Sequence, residues 1–123
     1  YEEWIAFRVY AIVRDATAIG AIAMQTKNTG TPSVSPRFAL GQVVATPAVL
    51  EHLERHGVNA SEYLNRHMRG DWGEVPPDDA AENEFAVTRR LRLLSSYTIA
   101  GERVWIITEA DRSSTCLLYP SEY

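Results

Sequence analysis

The stretch LRLLSSYTIAGERVWIITEADRSSTCLLYPSEY, residues 91 to 123, decides the fold. Side chains alternate between faces along a strand. Leu93, Ser95, Tyr97 and Ile99 fall on one face of a first strand, and Leu94, Ser96 and Thr98 on the other. Ala100-Gly101-Glu102 interrupts that run, and Gly101 tolerates the positive φ of a hairpin turn. Arg103 to Glu109, rich in β-branched and aromatic residues, predicts a second strand. Asp111-Arg112-Ser113 reads as the next turn, since Asp and Ser side chains bond nearby backbone. A third strand, Ser114 to Tyr119, stops at Pro120, which has no N–H for a ladder.

The middle strand is apolar on both faces, with Val104 and Ile106 pointing one way and Trp105 and Ile107 the other. A half-solvated antiparallel sheet would show one polar face. Both faces are therefore expected to be covered. Upstream helices supply one cover. The N-terminal segment, a partner subunit or a ligand supplies the other.

Upstream of this sheet, Phe38 to Ala45 reads as a short strand that adds to its edge. Thr46-Pro47 opens a helix with an N-cap and a proline at its first position, and Gly57 closes it. Asn59 with Glu62 makes a capping-box pattern for a second helix carrying Tyr63, Leu64 and Met68 and ending at Gly70. Two helices so tightly joined predict an antiparallel hairpin. Residues 70 to 79, GDWGEVPPDD, form a rigid loop, and a third helix runs from about Asp78 to Thr88, with Ala81 and Phe85 on one side. The fold class is therefore α+β: short helices packed on an antiparallel sheet that ends in a three-stranded C-terminal meander.

Residues 1 to 23 are an apolar extension that fits a helical face through Ile5, Val9, Ile12, Ala16 and Ile19, yet carries high β-propensity from Trp4 to Val13. Arg8, Arg14 and Asp15 break it below the roughly 18 apolar residues of a membrane span. Glu2-Glu3 stands where a signal peptide has basic residues. Met24 followed by a polar linker to Arg37 resembles a natural N-terminus, which would make residues 1 to 23 non-native. The single domain then spans residues 38 to 123.

The net charge of −4 offers no global basic field to nucleic acid. Asp71, Glu74, Asp78, Asp79, Glu82 and Glu84 crowd one stretch, and Arg89, Arg90 and Arg92 follow it. Surface pairing between these two groups is the expectation, with phosphate contacts by Arg89, Arg90 and Arg92 as the alternative. A single cysteine, Cys116, permits no internal disulfide, fits a cytoplasmic setting and reads as a small buried hydrophobe. His52 and His56, spaced i, i+4, lack the glutamate position of HExxH and read as solvated or capping residues, so no metal is expected. No P-loop, GxGxxG or GxSxG motif occurs, and no cofactor is expected.

Several segments carry a resemblance. FALGQVVATPAVLEHL, HMRGDWGE, RLLSSY and WIITEADRSSTCLLYPSEY resemble the small "plasmid related protein" family of plasmids and integrative elements, over about residues 38 to 123. The resemblance implies a genomic setting and no particular reaction. The order of elements is also similar to that of small RNase-type toxins, whose sheet face holds His, Arg and hydroxyl residues.

Two function classes follow. The first is a non-enzymatic accessory protein of a mobile element, acting through protein contacts or dimerisation, with Asp71, Trp72, Arg89, Arg90, Asp111 and Ser113 as candidate binding residues. The second is a metal-independent endoribonuclease. There His67 is the general acid or base, Arg112 holds the scissile phosphate, and Tyr97 and Thr115 assist. Each candidate also has a structural reading: His67 as a helix cap, Trp72 as a core plug, and Asp111 with Ser113 as turn builders. Expected partners are a protein or a second copy of the chain. Nucleic acid stays open and a membrane does not.

Overall fold

Three strands form where the alternation predicts them: β3 (Leu93–Ile99), β4 (Glu102–Thr108) and β5 (Ser114–Leu118). They make an antiparallel meander, with Ser95 opposite Ile106 and Ile106 opposite Leu117. The computed structural model describes residues 36–123 and the two-residue strand β1 (Ala11–Ile12). Apart from that strand, the expectations for residues 1 to 23 and most of the linker lie outside the described residues.

Ahead of the meander come β2 (Gln42–Ala45), α1 (Pro47–Arg55), α2 (Ser61–Met68) and α3 (Pro77–Arg89). The fold is α+β. The sheet order is β1-β2-β5-β4-β3, and β2 pairs parallel with β5, Val43 opposite Thr115. The sheet is thus mixed and not antiparallel throughout. The reason is topological: the helices carry the chain from β2 to the far edge, and three alternating strands then return it beside β2 in the same direction.

α1 starts as its sequence predicts. Thr46 Oγ1 accepts the Val49 N–H at 3.4 Å and donates to Glu122 Oε1 at 2.7 Å, which ties the helix to the 3-10 turn Pro120–Glu122. α2 departs from the predicted capping box. Asn59 Oδ1 accepts the Ser61 N–H at 2.9 Å, while Ala60 occupies the cap position without a side-chain bond. α3 turns Asn83 and Ala86 inward and leaves Phe85 exposed.

One sheet face is covered by α1 and α2, where Val49, Leu53 and Leu64 pack on Val43, Ile99, Val104, Ile106 and Leu117. On the other face Ile107, Cys116 and Leu118 are buried too, with Trp105 and Leu94 around them. The burial of both faces follows the two-sided apolar pattern of β4. Among the described residues, no helix is long and apolar enough to cross a membrane.

Candidate functional site

α2 buries Ser61, Leu64, His67 and Met68, one stripe at helical spacing, so His67 points at the sheet with Leu64. Beneath it three adjacent strands present hydroxyls at inward positions: Ser95 on β3, Thr108 on β4 and Thr115 on β5. His67 Nδ1 lies 2.5 Å from Ser95 Oγ, and Nε2 lies 2.8 Å from Thr108 Oγ1. Thr108 Oγ1 is 2.8 Å from Thr115 Oγ1, which donates to the Leu40 carbonyl at 2.8 Å.

The carbonyl at the end fixes every proton. Leu40 O accepts alone, so Thr115 gives it its hydrogen. Thr108 must then donate to Thr115, and so accepts from His67 Nε2–H. That leaves Nδ1 as the acceptor of the Ser95 hydroxyl. Each hydroxyl has one proton, and the neutral ring has one donor and one acceptor. The protons run one way from Ser95 to Leu40, and the ring is the Nε2–H tautomer. His67 is 0% exposed. Burial pushes its pKa down to about 3, with the Arg112 charge adding to the effect.

Arg112 sits at φ +60° in the β4–β5 turn and is itself buried. Its Nη1 donates to Leu91 O at 2.7 Å, Glu109 O at 3.0 Å and Ala110 O at 3.2 Å, and its Nη2 donates to Ala86 O at 3.0 Å. The guanidinium thus pins its own turn to the C-terminal end of α3. Burial lowers its pKa from the ordinary value, and the Arg90 charge adds to this. Phe38 contacts both candidate groups, edge-on to His67 at 5.0 Å and 5.6 Å from Arg112 Cζ. An aromatic ring therefore occupies the approach that a shared phosphate would need.

The remaining candidates build the frame around this cluster. Trp72 stacks on Phe38 at 6.1 Å, meets the His67 ring edge-on at 5.8 Å and donates to Glu84 at 2.9 Å. Glu84 also takes a two-pronged ion pair from Arg37, both bonds 2.8 Å. Asp71 accepts from Arg66 at 2.8 Å, which holds its carboxyl below the usual range, and its backbone carbonyl accepts from Tyr97. Burial pushes the Tyr97 phenol up to about 12. Asp111 accepts the Ser113 N–H at 3.0 Å, as a turn builder does. Arg89 and Arg90 are exposed at the C-terminal end of α3, where the Arg90 charge is felt by Arg112.

Of the residues named from sequence, the structure joins His67 to Thr115 through the Thr108 hydroxyl and sets Arg112 and Trp72 around Phe38. Proton transfer by His67 and phosphate binding by Arg112 both need open, uncommitted groups. The geometry weighs against both. Ser95, Thr108 and Phe38 were not singled out from sequence. The inward parity of the two hydroxyls was legible, but their convergence on one histidine was not. His52 is likewise committed, its Nε2 donating to Ile99 O at 2.9 Å. Among the described residues no group of His, Cys, Asp or Glu is placed to hold a metal ion. Cys116 is buried, and burial pushes its thiol up to about 12, the state of an inert core residue.

The chain matches no protein-family profile, no curated protein and no solved structure.

Proposed function

We propose that this chain is a non-enzymatic accessory protein of a mobile genetic element, acting in the cytoplasm through contacts with protein. The supporting observation is that the groups a nuclease would use are consumed by the fold. His67 is 0% exposed with both ring nitrogens bonded to buried hydroxyls, and both terminal nitrogens of Arg112 donate to backbone carbonyls. A general base must reach its proton within hydrogen-bond distance of a substrate, and these groups reach the interior instead. The mobile-element setting rests on the resemblance of residues 38 to 123 to the plasmid related proteins.

The test is cleavage of a broad set of RNAs by the folded protein with chelator present, beside a His67→Gln variant. The expected result is no cleavage by either. Cleavage by the wild type that the variant loses would replace this reading with the ribonuclease one.

A further inference from the structure

We infer that two copies of this chain associate through α3, antiparallel about a two-fold axis near Phe85. This deepens the protein-contact reading and rests on it.

The outward face of α3 carries the observation. Asp78, Glu82, Phe85 and Arg89 fall at i, i+4, i+7 and i+11, one stripe of the helix. The opposite side, Asn83 and Ala86, is buried against β3. Phe85 stands at the centre of the outward stripe and is 52% exposed, and Leu91 just beyond the helix is 48% exposed. The stripe is acidic at its start and basic at its end. The sequence predicts that the acidic stretch and the arginines pair. Within one chain the two ends of this stripe do not: about 16 Å of helix rise separates Asp78 from Arg89. Asp78, Asp79, Glu82 and Arg89 have no ion-pair partner among the described residues. Arg89 instead lies over the Phe85 ring at 4.8 Å.

The helix dipole alone accounts for acids at the start and arginine at the end. It does not account for a large aromatic ring left half exposed between them, covered on one side by Arg89. A two-fold contact is self-complementary and uses all three features together. Phe85 of one copy meets Phe85 of the other. Glu82, one turn before it, faces Arg89 of the other copy, one turn after. The exposed small residues Ala81 and Thr88 flank Phe85 and allow close approach of the helices. A contact built on one helix is at the small end of interface sizes, so the pair is weak and concentration-dependent.

The test is sedimentation velocity on the full chain at protein concentrations up to about 1 mM, in low and high salt. The variants are Phe85→Asp, Glu82→Arg, Arg89→Glu and the double reversal, each confirmed folded by circular dichroism. The expected result is a wild-type dimer that weakens with salt. Association should drop about tenfold or more in Phe85→Asp and in each single reversal, and recover in the double reversal, where the charges again match. The proposal is overturned by a wild type that stays monomeric, by a dimer indifferent to Phe85→Asp, or by a double reversal no better than the singles. RNA cleavage by the same preparation is a separate readout, and it bears on the parent reading alone.

Discussion

At the scale of the residue, His67 is a core histidine whose two nitrogens organise hydroxyls from three strands. His67→Ala leaves Ser95 and Thr108 without their ring partner and opens a void beneath α2. Buried polar groups left unpartnered cost about 1–3 kcal/mol each, and ring-sized truncations about 3–5 kcal/mol. A loss of about 3–5 kcal/mol is expected in urea unfolding. The same residue sets a pH dependence. Its folded pKa, about 3, lies below the ordinary value of 6.5. Between these values the unfolded chain binds a proton that the native chain refuses, so stability falls as pH drops from about 6.5 toward 3. The slope approaches about 1.4 kcal/mol per pH unit. Unfolding curves across that window should show a steeper fall for the wild type than for His67→Ala, the remaining slope coming from carboxylates such as Asp71 and Glu84. Position in a stripe predicts that a residue faces the core, which is why His67 is readable as inward beside Leu64. Its partners come from residues 28 and 41 positions away, and periodicity carries no information on which inward hydroxyls meet.

At the scale of the element, the outer edge of β3 is the informative place. An open edge strand invites pairing with another chain. Here the side chain of Asn83 does the work of a neighbouring strand: Nδ2 donates to Leu94 O at 2.7 Å and Oδ1 accepts the Leu94 N–H at 3.1 Å. Farther along, Ser96 N–H donates to Trp72 O at 3.1 Å, and Ser96 O accepts from Glu74 N–H at 2.7 Å. Glu74 Oε2 accepts the Thr98 N–H at 2.8 Å. This closeness explains Gly73, where an added Cβ would collide with the Ser96 carbonyl and the Tyr97 ring. Asn83→Ala is expected to cost about 1–3 kcal/mol through the two stranded backbone groups and to raise light scattering on storage. The β3–β4 turn offers the opposite change. Ala100 and Gly101 have φ of +49° and +85°, a turn that favours Asn-Gly. Ala100→Asn should stabilise the protein by about 0.5–1 kcal/mol, read as a higher urea midpoint, because Asn tolerates the left-handed region better. The turn itself was legible from Gly101. The Asn83 clamp was not, since nothing in a helical pattern marks which polar residue turns inward to a strand edge.

At the scale of the whole molecule, the two-sided apolar character of β4 and the alternation of β3 fixed the sheet and its burial. The direction of β2 escaped the sequence, because a short apolar run reads the same whether its neighbour is parallel or antiparallel. The candidate site followed the same division: the residue types were visible, and their mutual exclusion from solvent was a property of packing. His67, Arg112, Tyr97 and Trp72 are absorbed into the interior, and the proposed self-association therefore draws on an exposed element, α3. The measurement that tests this most directly is nitrogen-15 NMR of the His67 ring, followed from pH 8 to about 4 and assigned against His52 and His56. The account predicts the Nε2–H tautomer with shifts that hold constant down to about pH 4, far below an ordinary histidine. A midpoint near 6.5 would mean that water and protons reach the ring, and would contradict the sealed, structural role assigned to it.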